Sequence, residues 1–176
     1  TAARHDNSAK TLLSGVTVPA GLTAAQEIDY VVDSVFNHPN LPPFVVTRLI
    51  RSLVTSNPSP AFINRVVNVF INNGAGVRGD LSAVLGAILL DPEALTPSAA
   101  LHGRLKDPVL HVVGFGRALG ATIGNPDSFQ FVFSNLSQRV LTPPTVFSFY
   151  SLTSTLPNQP TVFGPEFQLY PPALAI

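Results

Sequence analysis

Four apolar stripes, each opened by a helix-starting signal, limit what this chain can fold into more than any other feature. Thr23-Ala24-Ala25-Gln26 has the form of a capping box, in which the threonine hydroxyl and the glutamine amide satisfy each other's backbone N–H groups. Behind it Ile28, Val31, Val32, Val35 and Phe36 recur at the spacing of one helical face, and Asn37-His38-Pro39-Asn40 ends the run. Pro42-Pro43 suits the first turn of a second helix, with Val46, Leu49, Ile50, Leu53 and Val54 as its stripe. Ser59-Pro60 starts a third, striped by Ile63, Val66, Val67, Phe70 and Ile71, and Asp80 starts a fourth, striped by Leu81, Val84, Leu85, Ile88 and Leu89.

Two more cap-plus-proline pairs, Asp91-Pro92 and Asp107-Pro108, extend the helical reading, with a short helix over 96–104 and a longer one over 108–121. After Gly124 the chain becomes rich in proline and phenylalanine. A helix around 127–139 is expected there, followed by extended, irregular chain, with a short hairpin as the less favoured alternative. The fold class is therefore all-α: a bundle or orthogonal array of about six helices carrying an irregular, aromatic C-terminal tail. Residues 1–176 form one domain, with an irregular lead-in over 1–22, a helical core over 23–121 and the tail over 122–176.

Charge narrows the partners. The chain holds ten basic and ten acidic residues, dispersed along its length, so it has no basic stripe for phosphate contacts and nucleic acid is not an expected partner. No run reaches the length of a membrane span. With no cysteine, thiolate ligands, thiol nucleophiles and disulfides are all excluded. The chain also lacks methionine, so Thr1 is not a translation start, and a processed product or a fragment is expected.

The four histidines, His5, His38, His102 and His111, show no metal-binding spacing. The sharpest metal idea joins His5 and Asp6 to His38; the plainer reading makes His38 a cap at the end of the first helix. Gly74-Ala75-Gly76-Val77-Arg78-Gly79 spells a dinucleotide fingerprint, yet a helix rather than a strand precedes it, so a helix end and tight turn are expected and no cofactor. Asp80 within Arg78-Gly79-Asp80 reads as a helix cap. Arg48 and Arg65 lie beside apolar stripes and call for carboxylate partners among Asp80, Asp91 and Glu93. The alternative for Arg48, Arg65, Arg78 and Asp80 is a pocket for an anion or a carbohydrate acid. Ser56, Ser59, Thr145 and Ser148 lack the elbow motif of a hydrolase nucleophile. A Thr1 nucleophile would need a sheet sandwich that the stripes contradict. Tyr150, Phe163, Phe167 and Tyr170 are candidates for sugar stacking, although packing is the commoner fate of such rings.

Several longer motifs stand out along the chain. They begin with His5-Asp6 and Lys10, then Asn37-His38-Pro39-Asn40, Arg48-Leu49-Ile50 and the run from Leu53 to Pro60. Arg65-Val66, Arg78-Gly79-Asp80, the run from Ile88 to Ala94 and Lys106-Asp107-Pro108-Val109 follow. The run from Thr142 to Tyr150 and Gly164-Pro165-Glu166-Phe167-Gln168 complete the set. Together these motifs resemble one bacterial family, catalogued as domain of unknown function 1800. The resemblance implies the C-terminal portion of a larger protein, often exported, whose genes neighbour those of a sulfatase-like family. It lends no reaction. The expectation is a non-catalytic structural or binding portion of an exported bacterial protein. Its partner would be the N-terminal part of the same protein or a second copy. The rival is a hydrolase whose active site is shared with that N-terminal part.

Overall fold

The computed structural model describes residues 4–96, 100–122, 124–125, 127, 137–139 and 141–170. Among them the chain is mainly helical: α1 Ala24–Phe36, α2 Leu41–Leu53, α3 Pro60–Ile71, α4 Leu81–Leu89, α5 Pro92–Leu95 and α6 Pro108–Ala118. Two small antiparallel hairpins accompany them, β1 Lys10–Thr11 with β2 Thr17–Val18, and β3 Thr155–Leu156 with β4 Gln159–Phe163.

The helix starts are made by the residues that announced them. Thr23 and Gln26 close the capping box on α1. The Ser59 hydroxyl accepts from the Phe62 amide with Pro60 in the first turn of α3. The Asp80 carboxylate accepts from the Ser82 and Ala83 amides at the head of α4. Between α3 and α4, the side chains of Asn72 and Asn73 accept from the amides of residues 74–77, and Gly74, Gly76 and Gly79 take positive φ. The glycine-rich segment is thus a turn between two helices.

The core lies where α2, α3 and α4 meet, with Val46, Ile50, Phe62, Val66, Phe70, Val84 and Ile88 buried together. Its composition departs from the stripes. Phe62, outside the α3 stripe, is fully buried, whereas Leu53, Ile71, Leu81, Leu85 and Leu89 are exposed. Each helix buries a narrower arc than its apolar arc offers. The largest departure is α1, which buries none of its residues. Ile28 is 61% exposed and Val32 57%, and Val31 and Val35 are exposed beside them. Both ends of α1 are tied down. Glu27 meets His5 and Lys10 from the lead-in, while at the other end Phe36 packs on Phe70.

Gly79 sits under that second tie. Its φ is +74°, and a Cβ there would lie 2.7 Å from the Phe36 ring. A left-handed conformation costs a residue with a Cβ about 1–2 kcal/mol, before any clash. Gly79→Ala is therefore expected to lower the melting temperature and loosen α1, with amide exchange in α1 rising more than in α3. Unchanged exchange in both would contradict the tie.

Three expectations about segments are corrected. The lead-in is not wholly irregular, because residues 10–18 turn back as a hairpin through a 3-10 turn at Leu13–Gly15. No helix occupies 100–104; there the backbone of Gly103 is held by Thr55 and Ser56 instead. In the tail, the hairpin prevails over extended chain. Asn158 adopts the left-handed conformation (φ +62°) that reverses the strand direction after Pro157. Thr1 lies outside the described residues, as does most of the helix expected over 127–139.

Candidate functional site

The arginines expected to gather are engaged separately. Arg65 makes a two-pronged contact with Asp91, Nε to Oδ2 at 2.8 Å and Nη2 to Oδ1 at 2.7 Å, with Glu93 at 3.9 Å. Arg78 donates to the carbonyls of Phe36 and His38 and lies over the Phe36 and Phe70 rings. It, and not the His38 imidazole, closes the end of α1. The His38 ring accepts instead from the Asn40 amide inside the turn that leads to α2. Asp80 takes Asn73 and the first turn of α4. Arg48, like Arg78, has no carboxylate within 4 Å among the described residues, and its guanidinium lies 3.6 Å over the Phe44 ring.

His5, Asp6 and His38 do not converge either. His5 meets Glu27 at 2.9 Å, and Asp6 accepts from the amide and hydroxyl of Ser8. Among the described residues no three histidine, aspartate or glutamate side chains are placed to hold a metal ion.

The remaining motif residues bind distant backbone. Asn57 clamps β4, its Nδ2 donating to the Phe163 carbonyl at 2.9 Å and its Oδ1 accepting from the Phe163 amide at 2.8 Å. The Thr55 hydroxyl both donates to the Gly103 carbonyl and accepts from its amide. Glu93 accepts from the Ser59 amide and hydroxyl, fixing α5 against the start of α3. A buried donor or acceptor left unpaired is costly, so these side chains stand in for the missing strand and helix partners of the loops they touch.

One polar cluster escaped the reading of the sequence. Arg104 bridges Asp107 at 3.1 Å and Glu166 at 3.0 Å, and also donates to the Ser52 carbonyl. Asp107 accepts from Tyr150 Oη at 2.9 Å and from Gln138 Nε2 at 3.1 Å. Glu166 is 2% exposed, and its Oε2 has no partner among the described residues. Asp107 was expected to cap α6. Its carboxylate faces the cluster instead, and Gln138 accepts from the Val109 amide in its place. Charged donors outbid a backbone N–H for a carboxylate. Burial, and then the Asp107 hydrogen bond, push the Tyr150 hydroxyl well above the ordinary tyrosine range. Asp107, Tyr150 and Glu166 all lie inside family motifs. That was the available signal, but nothing in their spacing links positions so far apart.

Two grooves flank the cluster. One, of about 560 Å³, runs from Arg48 to Tyr150 and Gln168 beneath the turn at Phe147 and Ser148. The other, of about 390 Å³, opens beside Arg104, Glu166 and His102, with Leu156, Phe163 and Phe167 as apolar wall.

The carboxylates set a pH dependence. The Arg65 hydrogen bond holds Asp91 below the ordinary carboxylate range, the Asn73 hydrogen bond does so for Asp80, and the Lys10 and then the His5 hydrogen bonds do so for Glu27. A depressed folded-state pKa contributes stability above the unfolded value, and that stability is lost as pH falls through the folded value. The melting temperature should hold down to about pH 5 and fall below about pH 4. Asp91→Asn should flatten this acid limb. A melting temperature independent of pH down to about 2 would contradict these pairings.

Comparison with known proteins places the chain by family. A family model described as "Protein of unknown function (DUF1800)" matches residues 1–163. No curated protein and no solved structure matches the chain.

Proposed function

Because the chain belongs to the DUF1800 family of proteins of unknown function, we propose that it is a non-catalytic structural and binding portion of an exported bacterial protein. One observation carries this reading. The residues that mark the family are engaged in holding the chain together, as Arg65 is with Asp91 and Asn57 with Phe163. Meanwhile α1 offers a row of exposed apolar side chains on a helix fixed at both ends. Such a row suits a partner surface rather than water. The partner fitting the family's longer architecture is the N-terminal part of the same protein, with a second copy taking its place when that part is absent. Export rests on the resemblance to exported members. No helix among the described residues is long and apolar enough to cross a membrane.

Sedimentation across a concentration series tests this. The chain alone should self-associate, and adding the N-terminal part should replace that association with a one-to-one complex. Ile28→Asp with Val32→Asp should abolish both without lowering helicity, since both side chains are exposed. A monomer in every mixture would overturn the docking role.

The hydrolase reading keeps one supporting observation, the buried Glu166 carboxylate beside a groove with one oxygen that has no partner among the described residues. Turnover of ester, amide or glycoside substrates by the chain with its N-terminal part, lost in Glu166→Gln at a temperature where circular dichroism shows the variant folded, would favour it.

A further inference from the structure

We propose that the groove between Arg48 and the Phe147 turn binds a carboxylate-bearing saccharide of the uronic acid class, a proposal that rests on the binding role above and names its ligand. Arg48 is the only one of the four residues expected to form an anion pocket that opens on this groove, and it does so without a carboxylate partner among the described residues. Among the described residues no acidic side chain lines the groove. Arg51, one turn further along α2, also lacks a carboxylate partner among the described residues. Its guanidinium lies 3.7 Å over the Phe163 ring, and burial together with the Arg48 charge disfavours its charged form. Arg48 brings its guanidinium to this end of the groove, and Arg51, outside the lining, adds to the positive field that favours an anion there. Stacking on Phe44 holds Arg48 flat and leaves the edge of its fork for a carboxylate.

The rest of the groove matches a polyol rather than an inorganic ion. Ser148, Ser151, Thr153 and Gln168 line it; the Ser151 and Thr153 hydroxyls bond each other at 2.9 Å and Gln168 Oε1 accepts from the Ser151 amide, a polar network whose remaining lone pairs and Gln168 Nε2 donor suit sugar hydroxyls. Phe147 stands at its rim 86% exposed, an open ring face on which the C–H side of a sugar can lie. Ser148, beside it, has φ +93°, a conformation uncommon for serine, in the turn closed by the Thr145–Ser148 bridge. At about 560 Å³ the space falls within the usual size range of small-ligand clefts.

Titration calorimetry with digalacturonic acid, its neutral galactose counterpart and inorganic phosphate tests the proposal. The wild-type chain should bind the acid saturably and at least about tenfold more tightly than the neutral disaccharide, the scale of one charge-assisted contact. Arg48→Gln should remove that preference, Arg48→Lys should restore part of it, and Phe147→Ala should weaken both sugars alike. Arg48 and Phe147 are exposed, so circular dichroism should be unchanged in all three. No saturable binding, or equal binding in Arg48→Gln, overturns the proposal. Phosphate competing as well as the digalacturonate overturns the saccharide part of it. Cleavage of the disaccharide would overturn the non-catalytic reading while leaving the site standing, whereas association through α1 without sugar binding would sink the site alone.

Discussion

Replacing Arg104 by methionine should destabilise the chain by about 3–5 kcal/mol, the usual cost of stranding one member of a buried ion pair. Glu166 is 2% exposed and has Arg104 as its charged partner among the described residues, so its carboxylate would be left in a dry site. Asp107 would keep Tyr150 and Gln138, which limits the damage on that side. For a domain of this size the drop corresponds to roughly 10 °C in melting temperature. Adding Glu166→Gln to Arg104→Met should recover part of the loss by removing the stranded charge. If the double variant is no more stable than the single one, the cluster is not an ion pair holding the tail in place.

Asn57→Ala has the second-largest expected effect, about 2–4 kcal/mol, because it leaves both the amide and the carbonyl of Phe163 unpaired in a part-buried position. The loss should appear first as detachment of β4. Removing the clamp should therefore raise amide exchange at 155–163 while the core of α2, α3 and α4 keeps its protection. Asn57→Asp should fare little better, since a carboxylate has no donor for the Phe163 carbonyl. Uniform loss of protection through the helices would instead show that Asn57 supports the core directly.

Helix existence was legible in the sequence because caps and proline starts are local. Thr23, Ser59, Asp80 and Asp91 each act within three residues of themselves. What the helices face was less legible. The α1 stripe is as regular as that of α3, yet its side chains stay exposed, since a stripe records fitness for burial and not the presence of a neighbour. A carboxylate partner for Arg65 among Asp80, Asp91 and Glu93 was anticipated from charge and proximity along the chain, and Asp91 is the one that fills the role. Asp107 shows the opposite case. Its Asp-Pro signal is that of a helix cap, and a tertiary arginine and tyrosine took the carboxylate away. The cluster spans residues 104–166, and the Asn57 clamp reaches across 106 positions, so no local pattern announces either. The tail hairpin was underweighted because β3 and β4 lack strict alternation, although Pro157-Asn158 is a turn signal.

All of these assignments require that the tail and the helices behave as one folded unit, joined by the residues that mark the family. Native-state hydrogen exchange at the amides of Ser56, Gly103 and Phe163 measures this most directly, because each is held by a bond between the Thr55–Asn57 segment and distant chain. The account predicts that these three amides exchange as slowly as those of Ile50, Val66 and Ile88 in the core, and that Asn57→Ala releases Phe163 ahead of the rest. Exchange at loop rates in the unaltered chain, with the core still protected, would contradict it, and both grooves built on the tail would go with it.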